Sequence, residues 1–205
     1  MNAPQCTDEW LKDRVGHCTA SRFSDVLAKI KSGEAEGRRK YRIQLVTERL
    51  TGNPTTGYQN AAMQWGTQTE PEARMAYEAH TGVIVNETGF IKHPSIAWCG
   101  ASPDGLIGDD GMLELKCPES TTHLEWMEHG KAPSKHLPQI QGQMAVTGRR
   151  WVDFASYDPR FPEGLQLFVV RVPRDDAYIK TLESEVMDFL AVAEEMLQRL
   201  LLRKT

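Results

Sequence analysis

The segment SPDGLIGDDGMLELKCP, residues 102–118, sets an aspartate in a Pro-Asp-Gly turn, then a glutamate and a lysine two positions apart in an apolar run. Residues i and i+2 of a strand share a face. Read as a strand ended by Pro118, GMLELKCP therefore places Glu114 beside Lys116 and turns Leu113 and Leu115 to the other side. The turn lies at the head of the preceding strand, a hairpin-sized gap away, and can deliver the Asp104 carboxylate to the strand end. Ionised groups are costly to bury without partners. Two carboxylates in oxygen-rich surroundings suit Mg²⁺, which takes one or two acids and keeps waters for a substrate phosphate. A lysine beside such an ion can orient or deprotonate an attacking water and stabilise charge developing on a phosphodiester. A Glu-x-Lys triplet alone fits an exposed surface strand equally well; its pairing with PD at the head of the neighbouring strand points to catalysis.

Upstream of this segment the pattern is mainly helical. Residues 8–30 read as two short helices interrupted near Gly16, and RRKYRIQLVTERLTG reads as a third helix with Gly52 as its stop signal. A fourth runs from roughly Asn60 to His80, with Pro71 marking the start of the helix proper, Thr69 as its cap and Glu70 at the junction. VIVNETGFIKH and IAWCGASPDGLIG are β-branched and punctuated by turn residues, as strands should be. Downstream come helical stretches at about 119–130 and 134–147, strands WVDFASYD and LQLFVVRV, and a long amphipathic helix from Tyr178 to Leu200. The expected fold is a mixed α/β (α+β) domain covering residues 1–205, with a central mixed β-sheet flanked by helices.

Composition narrows the class. The 205 residues are 40% apolar and 25% charged, in the range of globular proteins, and no apolar run approaches the ~18 residues of a membrane span. The N-terminal stretch lacks the pattern of a secretory signal, so the expected compartment is the cytoplasm. Cys6, Cys18, Cys99 and Cys117 form no CxxC pair and read as reduced thiols. The net charge of −4 gives no hint of a nucleic-acid partner. Locally, however, KIKSGEAEGRRKYR gathers Lys29, Lys31, Arg38, Arg39, Lys40 and Arg42, either a solvated loop or a basic patch for phosphates.

Taken together, EWLKDRVGHCTAS, WGTQTEPEAR, ASPDGLIGDDGMLELKCP, PQIQGQM and YDPRFPEGL resemble, in order, the bacteriophage lambda exonuclease and YqaJ-type viral recombinase family, within the PD-(D/E)xK (restriction-endonuclease-like) nuclease superfamily. The resemblance implies Asp104 and Glu114 as metal-binding carboxylates, with the backbone carbonyl of Leu115 as a further ligand. Lys116 becomes the residue that activates water, Glu70 a helix-borne acid supporting the metal, and Gln139 a glutamine that helps hold the water and lysine. Helix geometry independently pairs Gln139 with Gln143, four residues on, and turns Gln141 elsewhere. Arg14, Ser21 and Ser102 correspond to a 5′-phosphate pocket, for which guanidinium forks and hydroxyls are suitable ligands. Thr19 is a further candidate there. Met63 falls where the family places an apolar wedge, and Lys31 matches a basic residue reaching toward duplex DNA.

The implied activity is a Mg²⁺-dependent (Mn²⁺ as substitute) exonuclease with one or two ions per site. It would digest linear double-stranded DNA from a 5′-phosphate end to mononucleotides, leaving a 3′ single strand for recombination. The implied assembly is a homotrimeric ring working with a single-strand annealing protein, in a bacterial cell carrying a phage or prophage. The alternatives are a PD-(D/E)xK endonuclease and a non-catalytic module that binds DNA ends. His17 and Cys18 stand where the family has apolar residues, the N-terminus is shorter, and the basic loop differs.

Overall fold

The computed structural model describes residues 3–55 and 61–204. Helix α1 (Asp8–Arg14) is capped by Thr7, whose hydroxyl accepts from the Trp10 amide at 3.2 Å. A two-residue strand β1 (Cys18–Thr19), a 3₁₀ turn (Ala20–Arg22) and a short α2 (Phe23–Val26) follow. Then come α3 (Glu36–Thr51) and α4 (Ala61–Thr81). The short strands β2 (Ile91–Lys92), β3 (Cys99–Ala101) and β4 (Gly105–Ile107) lead into β5 (Gly111–Lys116). The chain continues through α5 (Ser120–His129), α6 (Leu137–Thr147), β6 (Trp151–Tyr157), β7 (Leu167–Pro173) and α7 (Asp176–Leu201).

The expected mixed sheet is present with order β4-β5-β6-β7, in which β5 and β6 run parallel and the outer pairs antiparallel. A second, three-stranded sheet of order β1-β3-β2 adjoins it in sequence. The alternation read from the sequence holds along β5, with an apolar layer on each side. Met112 packs with Ile140, Met144 and Phe154 beneath α5 and α6. Leu113 and Leu115 pack with Ala73 and Tyr77 of α4 on the opposite face. A third core joins Tyr41 and Leu45 of α3 to Leu182, Val186 and Phe189 of α7 and to Phe23. The apolar stripe of α7 recurs at Ile179, Leu182, Val186, Phe189, Leu190 and Ala193, as its periodicity requires. Helix α6 is the hub, with Pro138 in its first turn, Gly148 at φ 71° past its end, and most of its residues buried.

Three local expectations change. α4 does not start at Pro71: it runs unbroken through it, and Thr69 is a buried helical residue rather than a cap. The packing of Thr69, Ala73 and Tyr77 outweighs the intrinsic penalty of one proline; Asn60, the expected start, lies outside the described residues. VIVNETGFIKH contributes only β2 and a single bridge, Asn86 to Leu106. Between the two N-terminal helices the chain forms β1, which the helical reading omitted. Among the described residues no helix is long and apolar enough to cross a membrane.

Candidate active site

The acids meet at one end of the four-stranded sheet. β4 begins at Gly105, opposite Leu113, so β5 continues past it with one edge uncovered at Leu115. Asp104, the residue before β4, fills that gap: its Oδ2 accepts the Leu115 amide at 2.7 Å. The amide and carbonyl of a strand residue point to the same edge, so the Leu115 carbonyl lies on the Asp104 side. Glu114 points the other way, into the sheet's α6 face, and is fully buried. Its Oε1 accepts from Gln139 Nε2 at 2.5 Å and from Lys116 Nζ; its Oε2 accepts from Gln143 Nε2 at 2.6 Å. The four-residue spacing thus singled out the right glutamines. Gln141 faces away, donating to the Pro173 carbonyl at 2.9 Å and accepting from the Asp175 amide at 3.0 Å.

Glu70, on α4, pairs with Arg74 at 3.3 Å, and Arg74 also pairs with Glu87. Together with Asp104, Leu115 and Lys116 it lines an open cleft of about 670 Å³. Burial raises the Glu70 carboxyl above its usual range, against the pull of Arg74 and Lys116. Burial, then the Glu114 charge, raises Asp104 well above the ordinary aspartate value. For Lys116 burial alone would lower the pKa, but Glu114, Asp104 and Glu70 outweigh it and hold the amine at about 12, a permanent ammonium. Three carboxyl groups therefore share one cation, and burial with mutual repulsion opposes ionising all of them unless further positive charge is supplied.

That deficit and the all-oxygen donor set of Asp104, Glu114 and the Leu115 carbonyl fit a hard divalent ion. Mg²⁺ takes one or two carboxylates and retains several waters; among the described residues no three His, Cys, Asp or Glu side chains form a group that could hold a metal ion.

A second cavity, of about 160 Å³, opens on the other side of the acids. Asp104, Glu114, Lys116, Gln139 and Gln143 line it together with Gln5, Trp10, Arg14, Thr19, Ser21 and Ser102. The small sheet accounts for this meeting. β1 pairs in parallel with β3 at Thr19 and Gly100, so the turn after β1 and Ser102 after β3 emerge at the same end. Thr19 Oγ1 and Ser21 Oγ are 3.2 Å apart. Trp10 Nε1 donates to Ser102 Oγ at 2.9 Å, and the Arg14 guanidinium lies over the Trp10 ring, 4.1 Å from its centroid. Among the described residues Arg14 has no carboxylate partner. Gln5 ties the N-terminal segment down by donating to the carbonyls of Pro103 at 2.7 Å and Thr88 at 3.1 Å. Trp10 and Gln5 were not foreseen, since no motif marks them and their partners are distant in sequence.

Met63 is 57% exposed on the first turn of α4 and lines the open cleft, outside the apolar cores. His136 lines the same cleft between Trp126 and Phe154; burial, then Lys116 and Lys135, push it down to about 3, so its ring is neutral. Lys31 is not brought to the acids. It sits on the exposed loop after α2 and lines neither cavity. Much of the basic run around it is folded into ion pairs: Lys29 with Glu185, Lys40 with Glu36, and Arg42 with Glu34.

Residues 9–150 match the family of the YqaJ-like viral recombinase domain. Among solved structures the chain is similar to an alkaline exonuclease, LHK-Exo, from Laribacter hongkongensis, at 47% identity and a TM-score of 0.91, covering 97% of this chain and 98% of that one. It is likewise similar to LHK-Exo solved in complex with dAMP, at 48% identity and a TM-score of 0.89, covering 95% and 96%. A phage related exonuclease from Haemophilus somnus shares the fold at 13% identity and a TM-score of 0.69, covering 92% and 96%. No curated protein sequence matches.

Proposed function

The chain belongs to the YqaJ-like viral recombinase family, and from that membership and its acid centre we propose that it is a metal-dependent exonuclease acting on linear double-stranded DNA. Digestion starts at a 5′-phosphate end, releases mononucleotides and leaves a 3′ single strand for recombination. The observation that carries this reading is the shared cavity, in which Arg14, without a carboxylate partner among the described residues, and two serine hydroxyls face the same space as the acids.

In this reading Arg14, Ser21 and Ser102 grip the terminal phosphate, with Thr19 supporting Ser21 through their hydroxyls. Asp104, Glu114 and the Leu115 carbonyl hold Mg²⁺, with Mn²⁺ as a substitute and one or two ions per site. The bound ion supplies a Lewis acid that polarises the phosphodiester and makes water a better nucleophile. Lys116, kept as an ammonium by its acidic neighbours, donates to Glu114 and has further N–H groups to orient water and offset phosphate charge. Gln139 holds Glu114 in place from α6, and Glu70 adds negative charge across the cleft. Met63 stands at the cleft wall, exposed and suited to part the strands. The relative solved with dAMP lends support to a mononucleotide product.

The proposal extends to a homotrimeric ring partnered by a single-strand annealing protein. A ring that encloses its track tolerates the weak electrostatic grip of a chain with net charge −4; a monomeric mass in solution combined with retained processivity would remove that part. The central test incubates the protein and Mg²⁺ with a 5′-phosphorylated linear duplex, the same duplex with 5′-hydroxyls, and a closed circle, with Lys116→Ala and EDTA as controls. Faster loss of the phosphorylated duplex, an intact circle and inert controls support the proposal. A cut circle points to an endonuclease, and no cutting at all to a module that binds DNA ends.

A further inference from the structure

We infer that Gln143 is a second positioning residue of the acid centre, which fixes the Glu114 carboxylate for the ion; the inference rests on the metal-dependent reading above. Gln143 is 1% exposed, and its Nε2 donates to Glu114 Oε2 at 2.6 Å while Gln139 donates to Oε1. Both amides project from one face of α6, a helix buried along most of its length. A carboxylate held at both oxygens from one rigid helix cannot turn about its terminal bond; with Lys116 also donating to Oε1, the remaining lone pair, on Oε2, keeps a fixed direction.

The other end of the Gln143 amide strengthens the assignment. Reversing the amide would set its carbonyl oxygen against the Glu114 carboxylate, so the orientation is dictated by charge and Oε1 must point away from Glu114. Among the described residues Oε1 has no hydrogen-bond partner although it is buried. Gln141, on the same helix and 4% exposed, shows what a structural glutamine looks like here: its nitrogen and its oxygen are both satisfied by backbone. Gln143 instead leaves a buried acceptor unmet in order to donate to Glu114. It lines the 160 Å³ cavity shared with Arg14 and Ser102, which has room for water to supply the missing donor.

Hydrogen-bond partners of metal-ligating carboxylates typically change metal affinity by about 10- to 100-fold when removed. The test measures Mg²⁺ binding to the full chain by isothermal titration calorimetry without DNA, for wild type, Gln143→Met and Gln141→Met. Gln143→Met should bind Mg²⁺ about 10- to 100-fold more weakly, and in digestion assays its Mg²⁺ half-saturation and kcat should shift while KM for DNA holds. Gln141→Met should melt at a lower temperature with its Mg²⁺ affinity unchanged. Gln143→Ser, which withdraws the amide without adding bulk, replaces Gln143→Met if the latter does not fold. Wild-type Mg²⁺ affinity in the Gln143 variant overturns the inference alone; a wild-type chain that binds no Mg²⁺ removes the metal reading and the inference with it.

Discussion

Gly142 lies on α6 between the glutamines that reach Glu114 and Pro173, and its backbone runs close against the N-terminal arm. A Cβ at this position would lie 2.5 Å from Cδ2 and Cε2 of Phe23 and 3.4 Å from the Ala20 Cβ. Carbon atoms pack best at about 3.5–4.0 Å, so Gly142→Ala demands a movement of roughly 1 Å or more. Phe23 is 3% exposed and packed among Val26, Leu182 and Val186, which leaves its ring nowhere to retreat. Overpacking of this kind costs about 1–3 kcal/mol, while replacing a helical glycine by alanine returns about 1 kcal/mol. The expected net loss is up to about 2 kcal/mol, or a fall of up to about 8 °C in Tm for a chain of this size. Relaxation pushes on the turn that carries Ser21, so the preference for 5′-phosphorylated over 5′-hydroxyl ends should shrink while Mg²⁺ binding persists. Thermal melts, calorimetry and paired digestion assays read all three effects. A rise in Tm would refute the reasoning, because helix propensity would then have won and the arm would not be seated firmly on α6.

Three further outcomes are expected. Burial and the Glu114 charge raise the folded-state pKa of Asp104, so its ionisation opposes folding increasingly as pH climbs from the ordinary 3.8 toward the raised value. Asp104→Asn should therefore raise the Tm of the EDTA-treated protein at neutral pH, with a gain that fades on acidification, and should abolish nuclease activity; a lower Tm at neutral pH would contradict this. Arg171 donates twice to buried Asp153 at 2.8 Å, alongside Tyr77 Oη at 2.7 Å. Breaking a buried pair costs about 3–5 kcal/mol, reduced by solvent screening to about 2–3 kcal/mol for this half-exposed arginine, so urea melts of Arg171→Met that match wild type would exclude the network as a support. Met63→Ser should leave stability within about 0.5 kcal/mol and slow digestion of duplex more than of single-stranded DNA; equal slowing on both substrates would remove the wedge.

Where elements are long and regular, the sequence reading and the structure agree. β5, β6 and β7, together with α5, α6 and α7, follow from alternation, helical period and turn residues. The Gln139–Gln143 pair follows from helix spacing alone. In the small sheet β2 and β3 fall within stretches read as strands, whereas β1 escaped because its two residues are too few to display a period. Pro71 misled because its local penalty was overruled by tertiary packing of Thr69, Ala73 and Tyr77. VIVNETGFIKH is β-branched and bounded by turn residues like a strand, yet Ile84 is 78% exposed and the run pairs only through β2 and one bridge. Trp10 and Gln5 meet Ser102 and Pro103 across separations of 92 and 98 residues, contacts that only the folded chain creates.

The junction between the two sheets is short: β3 ends at Ala101, β4 begins at Gly105, and Ser102, Pro103 and Asp104 are all that lies between. One end of this link carries a hydroxyl held by Trp10, the other an acid held by Leu115, and the proline between them fixes its own φ. Two residues of extended chain cover about 7 Å. Under the proposed function the link is a ruler, because it sets the span between the gripped end of a strand and the bond to be broken by covalent structure instead of by packing. The length of the product is then indifferent to how tightly either core is filled, and a single glycine inserted beside Pro103, worth up to about 3.5 Å, would recalibrate it.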